Sequence, residues 1–131
     1  MIYAVNFWAV LVATVAVFLL GWLWHSKLLF GKIWMKIAKP NKNKSPIISM
    51  LLGFLTVLIT GYFVGIIVSS TGSATAVGGL IVGVVLFAGF ALMKHLGALI
   101  WMDTHPTLFW IETFHDLLSF LIMGVILGAM L

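Results

Sequence analysis

Hydrophobic residues fill four long stretches of the chain, and short polar segments separate them. The stretches cover residues 2–24, 46–68, 76–101 and 107–131. Each has at least about 20 residues, the helix length needed to cross a hydrocarbon core roughly 30 Å thick. Lipid offers the backbone no hydrogen-bond partner, so each stretch is predicted to be an α-helix. The pattern predicts an all-α membrane protein: a single domain, residues 1–131, with four transmembrane helices in a bundle.

The longest polar segment, residues 25–45, has an amphipathic pattern of its own. Its apolar positions fall on one side of a helical wheel and three of its lysines fall on the other. The apolar side holds Leu29, Phe30, Ile33, Trp34 and Ile37, and the basic side holds Lys32, Lys36 and Lys39. This pattern predicts a short interfacial helix between the first two spans that ends at Pro40. Anchoring is its expected role, and lipid sensing or partner docking are the alternatives.

Composition excludes the soluble classes of protein. The chain is 63% hydrophobic and 8% charged, with a mean hydropathy of +1.25, whereas soluble domains carry about 25% charged residues. Disorder is also excluded, because disordered chains combine low hydrophobicity with high net charge. The absence of cysteine excludes disulfides and thiolate metal sites.

The distribution of lysine predicts the topology. Six of the seven lysines lie in residues 25–45. By the positive-inside rule this loop is cytoplasmic, both termini are outside, and the protein is integral to a membrane. A basic loop beside apolar spans favours contact with anionic lipid and not with nucleic acid.

Glycines recur at a spacing of four in three of the spans. The pairs are Gly61 and Gly65, Gly79 and Gly83, and Gly124 and Gly128. Small residues at this spacing allow membrane helices to approach closely, within one chain or between copies. Because a four-helix protomer of this size has little interior, a homo-oligomer is expected.

The remaining ionisable residues fall toward the predicted cytoplasmic ends of the spans. Counting outward from the turn near His105 places Lys94 level with Asp116, at ~16 Å along the helix axis from the turn. A charge at this depth is costly unless it is paired or hydrated. The count therefore predicts an ion pair of Lys94 with either Asp116 or Glu112.

A polar stripe runs along the last span at helical spacings of three and four. Together with its neighbours it defines the candidate site residues: Lys94, His95, Glu112, His115, Asp116 and Ser119. The favoured interpretation is transport or permeation of an ion, proton or small solute, with His115 titrating near neutral pH. The alternative is a structural or interaction protein in which the same residues only hold the helices together.

A metal-dependent membrane enzyme is the third interpretation. Glu112 and His115 have the Glu-x-x-His spacing of di-iron bundles, but the chain has a single copy of it. The weak metal candidates are Glu112, His115 and His25. No nucleophile or phosphate-binding motif is present, so no catalytic residue and no cofactor are predicted, and a protein without enzymatic activity is favoured.

Two segments resemble a known family. Residues 23–35, Leu-Trp-His-Ser-Lys-Leu-Leu-Phe-Gly-Lys-Ile-Trp-Met, resemble the signature after the first helix of domain of unknown function family 1761. His115-Asp116-Leu117, followed by residues 123–128, resembles its last helix. The family pattern is expected to have an aromatic residue at His25 and often proline at Lys27. The resemblance implies a small four-span protein of the bacterial inner membrane and brings no established activity or cofactor.

Overall fold

Five helices make up the computed structural model, which describes residues 5–131. They are α1 (Phe7–Trp24), α2 (Gly31–Ala38), α3 (Pro46–Ser70), α4 (Ala76–Trp101) and α5 (Pro106–Met130). All but α2 are long and apolar enough to cross a membrane, which confirms the predicted fold class. Residues 2–4 of the first predicted span lie outside the described part of the chain.

The long helices begin where the sequence supplies a capping side chain. Each cap accepts a hydrogen bond from a backbone N–H group in the first turn, which has no partner within the helix. The caps are Asn6, Ser45, Thr75 and His105. Proline follows directly after Ser45 and His105, as is typical of a first helical position.

The amphipathic helix predicted in the first loop is α2. It ends at Ala38, and Lys39 follows in a left-handed conformation with φ of 48°, directly before Pro40. Lys32, Lys36 and Lys39 are exposed, as predicted for the basic side. We call the end of the bundle that carries this loop the lysine-loop side.

Glycines bring α4 and α5 into backbone contact. A Cβ atom added at Gly79 would collide with the backbone of Gly124, and one added at Gly128 would collide with the carbonyl of Thr75. A Cβ atom added at Gly83 would likewise collide with the carbonyl of Phe120. The predicted close approach is therefore made within one chain, between α4 and α5.

Helix α5 lies at the centre of the bundle, since it packs against α1, α2, α3 and α4. The buried core lies on the side away from the lysine loop and includes Val10, Ala13, Val64, Met123 and Leu127. Polar residues on the first half of α5 are consequently close to every other helix.

Large apolar side chains cover the outside of the bundle. Trp8, Leu51, Phe90 and Trp110, one from each long helix, are 69%, 66%, 70% and 56% exposed. Such a surface is unfavourable in water and suits a hydrocarbon environment. The chain is thus a small integral membrane protein in contact with the lipid bilayer.

Helix α4 is interrupted by one π-helical turn, Phe87–Ala91. The N–H group of Leu92 donates to the carbonyl of Phe87, five residues earlier. Such a turn adds one residue to the helix, so the following half is rotated relative to a regular α-helix. Turns of this kind occur often at functional sites.

Candidate functional site

Two carboxylates on α5 each contact a histidine from another helix. Glu112 Oε1 lies 3.1 Å from Nε2 of His25, at the end of α1. One turn further along α5, Asp116 Oδ2 lies 2.6 Å from Nε2 of His95 on α4. The carboxylates therefore join α5 to α1 and α4 through charge-assisted hydrogen bonds.

His25 is oriented by two acceptors. Its Nδ1–H donates to the carbonyl of Gly21 at 2.9 Å, while Nε2 faces the carboxylate of Glu112. With Glu112 ionised, both ring nitrogens act as donors, and this requires the imidazolium form. The hydrogen bond to Glu112 accordingly raises the pKa of His25 above its ordinary value, against the opposing effect of burial.

His115 lies between the two pairs. Its ring centroid is 5.2 Å from that of His25, and its Nδ1 is 3.5 Å from Asp116 Oδ1. Its Nε2 is buried and makes no hydrogen bond to any residue in 5–131. Gly21 leaves room for this ring, because a Cβ atom there would lie 3.3 Å from Nε2.

The predicted ion pair of Lys94 is wrong. No carboxylate oxygen of residues 5–131 lies within 4.0 Å of the Lys94 nitrogen, and His95 takes the position beside Asp116. Three turns of a regular α-helix take about 10.8 residues. In a regular helix Lys94, 11 residues after Gly83, would therefore lie on the same face as Gly83 and point toward α5. Because the π turn adds one residue, His95 takes that position and Lys94 is exposed.

A cavity of about 400 Å³ opens beside the second pair. It reaches the part of α5 that carries three of the predicted site residues, His115, Asp116 and Ser119. The apolar part of its wall is formed by Val17, Val57, Ala91, Phe120 and Met123. The cavity thus combines a polar layer with apolar walls, as ligand sites commonly do.

The cavity opens sideways, between α3 and the second half of α4. These two segments make little contact with each other. Thr56 and Thr60 line the cavity from α3 and Lys94 lines it from α4, and all three are exposed. The opening consequently faces the surroundings of the bundle at the depth of the polar layer.

Five of the six predicted site residues line this cavity. They are Lys94, His95, His115, Asp116 and Ser119, whereas Glu112 lies one turn away with His25. Sequence reasoning missed Thr56 and Thr60. Their spacing could have indicated them, since two hydroxyl residues four apart in an apolar span lie on one helix face.

Sequence reasoning also missed the role of Trp24. Its Nε1–H donates to the carbonyl of Ile111 at 3.0 Å and so ties α1 to α5. The position of Trp24 at the end of a span is equally typical of an interfacial tryptophan. Nothing in the pattern separated the two roles.

The weak metal candidates are not arranged around one centre. Glu112 bonds directly to His25, and the rings of His25 and His115 meet edge to face at 63°. Residues 5–131 contain no group of three or more histidine or carboxylate side chains able to hold a metal ion. The donor set in the described chain therefore does not fit a di-iron or zinc site, which needs three or more protein ligands around one centre.

Comparison with known proteins supports the resemblance seen in the sequence. No curated protein and no solved structure matches the chain. A family of proteins of unknown function, DUF1761, matches residues 8–128, which is nearly the whole chain and includes every residue of the site. The chain therefore belongs to the DUF1761 family.

Proposed function

We propose that the protein is a transport or permeation protein whose polar layer passes protons between the lysine-loop side and the cavity. The observation that carries this proposal is the 400 Å³ cavity that reaches Asp116 and His115 within a bundle of membrane-spanning helices. Ionisable residues at such positions are costly and typically serve ion or proton pathways.

The layer supplies two hydrogen-bonded pairs of proton donors and acceptors, with His115 between them. Glu112 and His25 form the first pair, near the lysine loop, and His115 follows at 5.2 Å between ring centroids. Asp116 and His95 form the second pair, which opens to the cavity. From Glu112 to Asp116 the path advances by about one helical turn, ~6 Å.

His115 is the proposed carrier between the pairs. Nε2 takes up a proton from the side of His25, which makes the ring an imidazolium, and Nδ1 then releases its proton to the carboxylate oxygen Oδ1 of Asp116. The ring is left neutral in the other tautomer, and its rotation restores the starting state. The free Nε2 supports this role, because a structural histidine normally uses both nitrogens.

The buried apolar core lies between the cavity and the other side of the bundle. Met123 lies at the inner end of the cavity and belongs to the buried apolar core beyond it. Passage through the membrane therefore requires a second conformation in which the core separates. The π turn in α4 is the proposed hinge, since Ala91 belongs to it and lines the cavity.

The alternative function is structural, and the same contacts favour it. The two histidine–carboxylate pairs hold α1, α4 and α5 together at one level. In that case the layer excludes water and only holds the helices together. Transport instead requires His115 to exchange protons with water.

Proton flux into proteoliposomes tests the proposal. Vesicles are loaded with a pH-sensitive dye, the membrane potential is clamped with valinomycin and potassium, and a pH step is applied. Wild-type protein is expected to equilibrate pH faster than empty vesicles. His115→Ala is expected to reduce the protein-dependent rate at least ~10-fold, because general acid–base groups contribute factors of this size or more.

His105→Asn is the matched control. His105 lies at the start of the same helix, outside the polar layer, and asparagine retains its capping hydrogen bond. It is expected to leave the flux unchanged. A His115→Ala rate equal to wild type, or a wild-type rate equal to empty vesicles, would refute proton passage. Exchange of the His115 ring proton with water, measured by ¹⁵N NMR in nanodiscs, distinguishes the structural alternative, which predicts no exchange.

A further inference from the structure

We infer that the cavity binds an amphiphilic anion, with a carboxylate or phosphate group beside Lys94 and an apolar tail between Val17, Val57, Phe120 and Met123. This inference rests on the proposed function, because it names the class of ligand that the same cavity holds beside the proton path.

The charges around the cavity leave Lys94 without a partner. Four ionisable groups line it: Lys94, His95, His115 and Asp116. The oxygens of Asp116 face the two histidines, at 2.6 Å and 3.5 Å. A lysine within an apolar span is costly unless an anion compensates it, and residues 5–131 place no carboxylate within 4.0 Å of it.

Hydroxyl groups surround the same opening. Thr56 and Thr60 donate to carbonyls of their own helix at 2.7 Å and 2.9 Å, and Ser119 does the same at 2.8 Å. A hydroxyl hydrogen rotates freely about its bond, so each group can turn toward an incoming oxyanion. Their backbone acceptors keep their helical N–H donors when this happens.

The size and walls of the cavity exclude a bare ion as the best occupant. A volume of about 400 Å³ lies in the range of sites for small organic molecules. Packing a hydrocarbon tail against the apolar walls is favourable, because each atom of the tail gains dispersion contacts. A simple inorganic anion would satisfy Lys94 and leave these walls uncovered.

Two sources can supply such an anion. A free short-chain acid would enter from the aqueous phase, and a phospholipid of the surrounding leaflet would enter through the sideways opening between α3 and α4. The recognised chemistry is the same in both cases: an oxyanion on an apolar chain.

Binding of radiolabelled octanoate to the protein in zwitterionic nanodiscs tests the free-acid source, with empty nanodiscs as the blank. Wild type is expected to bind octanoate saturably. Lys94→Gln is expected to weaken binding at least ~10-fold, and Lys94→Arg is expected to retain it because the charge is kept. Lys36→Gln, an exposed α2 lysine outside the cavity, is the matched control and is expected to bind like wild type.

Native mass spectrometry of protein from phosphatidylglycerol nanodiscs tests the lipid source. Retention of phosphatidylglycerol that is lost in Lys94→Gln and kept in Lys94→Arg would identify the lipid as the occupant. Dependence on Lys94 in either arm supports the inference. Binding that does not depend on Lys94 in both arms, or no binding in either, overturns it. If proton flux still depends on His115 in that case, the proposed function is retained and only the binding of an amphiphilic anion is refuted.

Discussion

At the scale of single residues, His25 shows how one contact sets the charge of a side chain. Both of its nitrogens face acceptors, the Gly21 carbonyl and the Glu112 carboxylate. Its ring also meets Trp34 of α2 at 5.4 Å between centroids. The charge on His25 is thereby coupled to the docking of the loop helix as well as to the polar layer.

This coupling predicts how stability depends on pH. The pKa of His25 is raised in the folded protein by its hydrogen bond to Glu112, so the folded state binds the proton more tightly than the unfolded state. The stabilisation is complete below the ordinary histidine pKa of about 6.5 and is lost as pH rises through the raised folded value. Unfolding in detergent, followed by circular dichroism, should show stability falling across this interval.

Glu112→Gln is expected to reduce the loss of stability with rising pH, because the amide removes the charge that raises the pKa of His25. His105→Asn should leave the pH profile in place, since His105 lies outside the layer. A Glu112→Gln profile that keeps the wild-type fall would contradict the role given to this contact.

At the scale of elements, the π turn decides which side chain of α4 reaches α5. Deleting Gly89 removes the extra residue and restores a regular helix, which returns Lys94 to the α5 face and turns His95 away. The deletion is expected to destabilise the protein by at least ~1.5–3 kcal/mol, the worth of a hydrogen bond to a charged group. Thermal unfolding of the purified protein measures the loss.

Gly89→Ala is the matched control for that deletion. A Cβ atom at Gly89 has nothing within 4 Å, so the substitution keeps the helix length and adds no clash. It should unfold like wild type. If the deletion were as stable as Gly89→Ala, the π turn would have no part in positioning His95.

Helix packing makes a separate prediction. Gly124→Ala places a methyl group against the backbone of Gly79, and a backbone neighbour cannot move aside as a side chain can. The expected cost is at least about 1–3 kcal/mol, the usual range for overpacking. Gly97→Ala on α4 meets open space and should be neutral or stabilising by up to about 1 kcal/mol. Equal stability of the two variants in the same unfolding assay would contradict the close approach of α4 and α5.

At the scale of the whole molecule, the sequence predicted four spans, and it predicted the bounds of the last two most closely; the first helix begins at Phe7 and not at residue 2. The third was predicted as 76–101 and is Ala76–Trp101, and the fourth was predicted from residue 107 and begins at Pro106. Hydropathy and capping are local properties, and they are readable without knowledge of the fold. The polar layer was predicted for the same reason, because helical spacing alone puts His115, Asp116 and Ser119 on one face.

The partners within that layer were not predictable in this way. Whether Lys94 or His95 faces Asp116 depends on the π turn, and Phe-Ala-Gly-Phe-Ala carries no proline or other strong signal for it. The cavity depends on a gap between α3 and α4 that no single helix encodes. Orientation with both termini outside, contact with anionic lipid and homo-oligomer formation stay predictions. The glycine pairs of α4 and α5 lend the last of these no support, since they are used within the chain.

The central position of α5 has a consequence for biogenesis. Both carboxylates of the layer and the glycine face that receives α4 lie on the helix that follows the other four along the chain. While the chain is being synthesised, His25, His95 and the backbone of Gly79 reach the membrane before their partners on α5 exist. Although α1 and α3 contact each other, the histidine–carboxylate pairs and the close approach of α4 cannot form helix by helix. They form only when α5 inserts.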